Sequence, residues 1–361
     1  MSRRLMMKRG ACFGGMLLLV SCSMIDDDLS NCQKEIVTEY ELKLITNVTT
    51  ELETVLSTEY DLPLQMELRE ELSHIFTDYA RDVDLSFYGS DSLRHLHETH
   101  VMNANEASFT LTLPVEEYDH LALANIAQQR QVDYSLQESC HTAFLDQKED
   151  LPNPAVPEEG DFESVIDSHE TGIFTARQQI KILGNQSQQF NVRLYMANCA
   201  AALVVDTTGY HIRDMKVYIE DLADGFGIRD SLYSYRRHTA VRTFPVEVKN
   251  LSRVFGSTRA DDLPNDYRQV CYCGVGFPSR DKPLSGVGKG NTYWRVRAYV
   301  TQDDGRVTEN VFQIEEPLNA GKLKIIRCRV TANGVTEATS PRVGVSVTLD
   351  WKPGNIYTPE V

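Results

Sequence analysis

The stretch Val343-Gly344-Val345-Ser346-Val347-Thr348-Leu349-Asp350-Trp351 decides the fold class. Its apolar residues fall on every second position, Val343, Val345, Val347, Leu349 and Trp351, which places all five on one face of an extended strand. Toward the N-terminus the same habit recurs over 174–183, 190–196, 203–205, 215–219, 244–248, 270–277, 293–300, 307–314 and 323–330, with Gly, Asn and Asp turns between the runs. In one of these runs Trp294 shares a face with Val296, Ala298 and Val300. Short strands with this punctuation read as an antiparallel β-sandwich.

The first half adds one element of another kind. Tyr40, Leu42, Leu44, Thr46 and Val48 alternate as a first strand, and Leu64, Leu68, Leu72, Ile75, Phe76 and Tyr79 then recur at spacings of three and four, the period of an amphipathic helix. Strands return with Val83, Leu85 and Phe87, with Phe109, Leu111 and Leu113, and with Leu121, Leu123 and Ile126. A single helix among strands argues a decorated sandwich, not a repeating strand-helix unit. Residues 146–160, DQKEDLPNPAVPEEG, hold three prolines and five acidic residues and are expected to be a loop or a domain boundary.

Charge narrows the class of partner. The 361 residues carry a formal charge of -16, which becomes -20 for residues 22–361, because residues 1–21 hold four basic residues and no acidic one. Nucleic acid is excluded as a partner, since phosphate binding rests on clustered Lys and Arg. At the N-terminus Arg3, Arg4, Lys8 and Arg9 precede a short apolar run, Met16 to Val20, the layout of a secretory signal. The run is too short to span a bilayer, which takes about 20 apolar residues. Leu19-Val20-Ser21-Cys22 resembles the lipobox of bacterial lipoproteins, which implies cleavage before Cys22 and lipidation of its thiol. Asp26, Asp27 and Asp28 follow with no basic residue before Lys34, so this segment is expected to stand off an anionic headgroup layer as a solvated tether. Acidic residues in this place also resemble the surface-export signal of Bacteroidetes lipoproteins. With Cys12 in the signal and Cys22 on lipid, Cys32, Cys140, Cys199, Cys271, Cys273 and Cys328 remain, and zero to two disulfides are expected among them.

Catalytic and ligand motifs are sparse. His95, His97 and His100 cluster in LRHLHETH; His95 and His97 would share a strand face, and three imidazoles are a conceivable zinc set, but a solvated histidine-rich turn is the expected reading. Cys271-Tyr272-Cys273 reads as two core thiols or as partners in separate disulfides, ahead of a redox pair. Gly286-Val287-Gly288-Lys289-Gly290 has Gly290 where a phosphate loop needs Ser or Thr, and no helix pattern follows. No Gly-x-Ser-x-Gly elbow occurs, and nothing singles out an acid and base pair among the carboxylates. No enzyme activity, cofactor or metal is expected.

Three stretches together resemble the FimB/Mfa2 family of Bacteroidetes fimbrial proteins. They are Cys22 with its Asp-rich tether and Cys32, residues 76–96 (FTDYARDVDLSFYGSDSLRHL) with 109–125 (FTLTLPVEEYDHLALAN), and the closing VSVTLDWKPGN, 345–355. The resemblance implies a mainly β protein with two transthyretin-like antiparallel β-sandwich domains. The expected organisation is a signal peptide over 1–21, an acidic tether over 22–35, an N-terminal sandwich with the one helix over 36–160, and a C-terminal sandwich over 161–361. The implied role is a surface-exposed, lipid-anchored outer-membrane protein that fixes fimbrial shaft subunits to the cell and influences shaft length. Shaft subunits of such fimbriae are cut after an arginine, and no arginine lies between Cys22 and Arg69, which favours a subunit that stays tethered. Assembly would proceed by strand addition, with the strands at 39–48 and 343–351 as candidates. The rival reading is a surface glycan-binding lipoprotein, which would expose aromatic rings beside a cleft.

Overall fold

The computed structural model describes residues 35–44, 52–53, 55–56, 62–77, 80–102, 108–126, 132–135, 139–147, 151–184, 187–246, 269–286, 291–331, 336–349 and 351. The expected signal peptide, Cys22, Cys32, most of the tether and residues 287–290 lie outside the described residues. No described helix is long and apolar enough to cross a membrane.

Among the described residues seven strands precede residue 160: β1 (Glu35–Leu44), β2 (Asp82–Tyr88), β3 (Arg94–Val101), β4 (Ser108–Pro114), β5 (Glu117–Ala124), β6 (Val132–Ser135) and β7 (Phe144–Gln147). Beyond it lie β8 (Ser164–Ile166), β9 (Phe174–Lys181), β10 (Gln189–Met196), β11 (Cys199–Asp206), β12 (Ile212–Glu220), β13 (Gly225–Gly227) and β14 (Leu232–Ser234). Next come β15 (Thr239–Arg242), β16 (Phe244–Val246), β17 (Gln269–Gly276) and β18 (Trp294–Gln302). The last are β19 (Val307–Ile314), β20 (Leu323–Val330), β21 (Thr336–Ala338) and β22 (Val343–Thr348). The chain is mainly β, as its alternation requires.

The first sandwich is one seven-stranded sheet, β3-β2-β5-β9-β10-β1-β4, folded on itself. β9 and β10 pair only through Phe174, Thr175, Tyr195 and Met196, and there the sheet turns a corner. The fold brings β1 over β5, three places away in the strand order, so that the Tyr40 hydroxyl meets His120 Nε2 at 2.5 Å. Helix α1 (Leu62–Ser73) has Pro63 in its first turn, where a missing N–H costs nothing. Leu64, Leu68 and Leu72, four residues apart, are fully buried, and Ile75 and Phe76 continue the apolar surface just past the helix end. Tyr79 lies outside the described residues.

The second sandwich faces a five-stranded sheet, β16-β17-β11-β20-β21, onto a six-stranded one, β22-β19-β18-β12-β15-β8. β11 is apolar on both faces. Ala200, Ala202 and Val204 join the core that holds the α1 leucines and the first sandwich, while Cys199, Ala201, Leu203 and Val205 join the core facing β12 and β18. A four-stranded sheet, β14-β13-β7-β6, covers part of the outer face of the first sandwich through Leu145 and Phe226, which cluster with Leu121 and Leu123. Strand pairing crosses the expected boundary at 160: β9 and β10 complete the first sandwich, and the pairing of β7 with β13 spans it as well.

Two readings of the sequence are corrected. LRHLHETH is no solvated turn; Arg94 to Val101 form the edge strand β3, paired along its length with β2. Trp351 is buried, yet not on the face of Val343 and Val345: the strand ends at Thr348, Leu349 is 60% exposed, and the Trp351 N–H donates to the Val307 carbonyl at 2.7 Å. Its ring therefore lies against Tyr299 on the outer face of the sheet, in a separate cluster with Phe162 and Tyr218.

Residues 151–163 are a strap across that outer face. Alternation sends Lys216, Tyr218, Glu220, Arg295, Arg297 and Tyr299 outward from β12 and β18, and the acidic strap lies over them. Arg242 grips Glu159 with two nitrogens, at 2.8 and 3.1 Å, and Asp167 with a third at 2.8 Å. Lys216 Nζ meets Glu158 at 2.9 Å, and the Tyr299 hydroxyl donates to Asp161 at 3.0 Å. The Arg242 fork is bidentate, and its partner Glu159 is buried; the Lys216 pair is more open. Arg242→Ala should cost roughly 1.5–3 kcal/mol, the worth of hydrogen bonds to a buried charge, and Lys216→Ala under about 1 kcal/mol, as measured by urea unfolding.

Two buried histidines set an acid limit. His120 stacks on Phe87 at 4.3 Å, its Nδ1 donates to the Ser86 carbonyl and its Nε2 accepts from Tyr40, so its neutral form is fully partnered. Burial pushes the pKa of His120, and that of His169, from 6.5 down to about 4. A depressed folded value means that the unfolded chain binds protons first as pH falls below 6.5. The stability held at neutral pH is then lost between 6.5 and about 4, by roughly 2 kcal/mol per histidine at pH 5. His238 acts in the opposite sense, since its hydrogen bond to Glu220 raises its pKa. Thermal unfolding at pH 7 and pH 5 should show a lower midpoint at pH 5, and the difference should shrink in His120→Asn.

Candidate docking edge

An edge strand offers unpaired backbone N–H and C=O groups, and proteins blunt such edges with charge, proline, bulges or brevity. Most described edges here are blunted. β3 carries Arg94, Glu98 and three histidines, with a register shift opposite Phe87 and Tyr88. β8, β14, β16 and β21 span three residues each, β16 containing Pro245 and β21 containing Glu337. The open lengths of β9 and β10 at the corner carry Arg177, Lys181 and Arg193. β4 is uncharged, but its rim is closed by side chains: Phe109 stacks on His100 of β3 at 4.1 Å.

β22 is the exception. Its six residues, VGVSVT, carry no charge and no proline, and it pairs on one side only, with β19, in the register Ile314↔Val343 to Glu309↔Thr348. Val343 and Val345 rest on the second core, which holds the strand flat. Beyond it, Trp351 is pinned by the Val307 carbonyl and by Tyr299, 4.6 Å between ring centres. The result is an uncharged strand with one edge unpaired among the described residues. β1, the other candidate strand, is interior, paired in parallel with β10 and antiparallel with β4.

The remaining candidate groups disperse. His95 meets Asp91 at 3.2 Å and Glu116 at 3.0 Å, and His97 meets Asp84 at 2.7 Å, while His100 points to the opposite face; the three imidazoles do not converge. Cys271 and Cys273 are buried free thiols on one face of β17, and burial pushes Cys273 up to about 12, far from any thiolate chemistry at neutral pH. Cys140, Cys199 and Cys328 are also free and buried.

One titratable cluster was not legible in the sequence. Glu220, Asp221 and His238 offer ligand atoms within 4.8 Å of one another. Burial alone would raise the Glu220 carboxyl, but the guanidiniums of Arg297 and Arg295 hold it well below the usual carboxylate range. Arg295 Nη2 lies 3.1 Å from Glu220 and 2.9 Å from His238 Nε2, His238 Nε2 donates to Glu220 at 3.1 Å, and Arg297 bridges Glu220 and Glu309. Two permanent cations already occupy the space a metal would take, so the cluster is an internally neutralised strut beneath the strap.

The sequence over residues 49–260, more than half of the chain, matches the family model of fimbrillin-A associated anchor proteins Mfa1 and Mfa2. The chain belongs to this family. The family is one of fimbrial anchor proteins, which work with fimbrial subunits, and is not a class of enzymes. Comparison with curated proteins returned no match. Among solved structures, the fimbrial anchor protein Mfa2 from Porphyromonas gingivalis is 10% identical with a TM-score of 0.45, covering 88% of this chain and 100% of that one. A candidate adhesin from Bacteroides thetaiotaomicron is 9% identical with a TM-score of 0.49, covering 89% and 100%. A fimbrial assembly protein from Parabacteroides distasonis is 11% identical with a TM-score of 0.36, covering 87% and 99%.

The packing around the thiols yields a direct check. Ellman's reagent should find Cys140, Cys199, Cys271, Cys273 and Cys328 silent in the folded protein and all five reactive after denaturation without reductant.

Proposed function

We propose that this protein is a surface-exposed outer-membrane lipoprotein, acylated at Cys22, which holds a fimbrial shaft to the cell and limits its length by occupying the basal position. The observation that carries the docking part is the uncharged, one-sided β22. A strand from the first shaft subunit adds to its open edge, main-chain hydrogen bonds supplying affinity and alternate side chains supplying register. The lipid part rests on the lipobox-like Leu19-Val20-Ser21-Cys22 and the acidic tether that follows. Multiple acyl chains on one residue anchor stably where one chain does not. The two sandwiches form the body between these ends, the chain entering the second at the strap and β8, returning to the first through β9 and β10, and passing to the second again at Cys199. The rival glycan-binding reading looked to exposed tryptophans, but Trp294 and Trp351 are 0% and 6% exposed.

Two substitutions separate the halves of this proposal. Cys22→Ala should release the protein from membranes and shed fimbriae into the medium. Ser346→Lys, which places a charge on the edge strand without touching the core, should leave the protein membrane-bound while fimbriae detach. Membrane retention of Cys22→Ala removes the lipid assignment, and attached fimbriae of normal length in Ser346→Lys remove β22 as the dock.

A further inference from the structure

One hydrogen bond fixes which backbone groups β22 turns outward. Just past the ladder the Glu315 N–H donates to the Arg342 carbonyl at 3.2 Å, and these two residues continue the register that sets Ile314 opposite Val343. Hydrogen-bonded and non-bonded pairs alternate along an antiparallel ladder, so Gly344, Ser346 and Thr348 turn their N–H and C=O groups toward β19. Val343, Val345 and Val347 turn theirs to the side left unpaired among the described residues. Val343 and Val345 rest their side chains on the second core, alternation sends Val347 to the same face, and Gly344, Ser346 and Thr348 lie on the other.

This pattern is complementary to itself. When a second copy of β22 lies antiparallel to the first with Val345 opposite Val345, every outward residue meets an outward residue: Val343 meets Val347, and Val345 meets its own counterpart. Each such pair exchanges two backbone hydrogen bonds, and valine packs on valine along the core-side face. Between them Gly344 meets Ser346. These are the non-bonded pairs, where Cα atoms approach to about 4.5 Å, and they hold the two smallest residues of the strand. Charge permits the contact as well. A body of net charge -16 repels its copy, but β22 carries no charge, and the flanking Arg342 residues of the two copies would each face Thr348 and stand about 20 Å apart.

We infer that two copies of this chain associate through β22 about a two-fold axis at Val345, joining their six-stranded sheets into one. The symmetry closes the assembly, because the two β22 edges are consumed and each outer end of the joined sheet is the three-residue β8. A six-residue edge contact falls below the roughly 1,200 Å2 of stable specific interfaces, so the dimer is weak and exchangeable. The inference goes beyond the anchor reading and does not rest on it. Where both hold, a shaft strand and the second copy compete for the same N–H and C=O groups, and the dimer is the resting form of the edge.

The test uses residues 22–361 with Cys22→Ser and Cys32→Ser, so that the thiols left in the described residues are the buried ones. Sedimentation velocity over a roughly hundredfold range of concentration should show monomer giving way to dimer. Val345→Pro deletes an outward N–H without removing a bond to β19, and should stay folded and sediment as monomer throughout. Register is read by cross-linking. On mild oxidation Val345→Cys should join to its counterpart, since Cα atoms of a hydrogen-bonded pair lie about 5.5 Å apart, within disulfide range. Val343→Cys should not, its counterpart lying about 13 Å away along the strand. Monomer at every concentration, a dimer undiminished in folded Val345→Pro, or equal cross-linking of the two cysteine variants would each overturn the inference. None of these outcomes bears on shaft attachment, which the Ser346→Lys experiment reads on cells.

Discussion

The architecture depends on one layer being buried on both sides. In an ordinary sandwich each sheet has a wet face and a dry one, and alternation shows it. β11 does not alternate: CAAALVV is apolar throughout, with three alanines where packing must be close on both faces. Because its even-numbered residues belong to the core of α1 and the first sandwich, and its odd-numbered ones to the core of the second, the two sandwiches share a sheet and do not merely abut. Inter-domain motion is the default where interfaces are small and polar. Here the interface is a continuous apolar layer. Asn198 seals the passage between the sandwiches, accepting from the Ile173 N–H at 2.6 Å and donating to His169 at 2.8 Å, so the polar groups of the crossover are spent within the junction.

The strap closes the outer side of this stack by a different kind of force. The outward positions of β12, β15 and β18 carry basic and tyrosyl side chains, which would make a strongly cationic face on a protein of net charge -16. Glu158, Glu159 and Asp161 neutralise it, and Phe162 lies under Arg297 with the guanidinium 5.6 Å from its ring. Charge pairs add little when both partners are wet, but those on Glu159 and Glu220 are shielded, so removing one partner strands a buried charge. Trp351, in the same cluster as Phe162, couples the strap to the end of β22. The end of β22 is thereby braced by the segment over 151–163.

Those features also mark what was legible in the sequence. Strands with clean alternation, such as 294–302 and 307–314, could be read because one face is buried and the other is not. The α1 leucines announced themselves by spacing. What failed was anything decided by a distant partner. LRHLHETH has no apolar alternation because β3 is an edge strand whose exposed face is satisfied by Asp84, Asp91 and Glu116, none of them adjacent in sequence. The Pro-rich acidic segment is the loop it reads as, but its docking as a strap was not legible, because its partners Lys216, Arg242 and Tyr299 lie roughly 60 to 140 residues further on, in β12, β15 and β18. A signal was present: WRVRAYV sends Arg, Arg and Tyr to one face, an unusual outer surface that calls for an acidic cover. The Trp351 error came from extending a perfect period across Leu349, where the strand had ended.

The position of β1 bears on how such a body is held. From Glu35, the first described residue, the strand runs between β4 and β10, paired with β4 over 35–41 and with β10 over 39–44. A pull on that end would load these two ladders lengthwise, several backbone hydrogen bonds resisting together, and Tyr40 adds a tie through His120 to the opposite layer. The same interior position denies β1 to any incoming strand, since both of its edges are taken. With one candidate strand locked into holding the body together, β22 is the candidate left with an unpaired side among the described residues. The proposed role needs that division: a strand that both bore a tether and received a partner would have to surrender one set of hydrogen bonds to make the other.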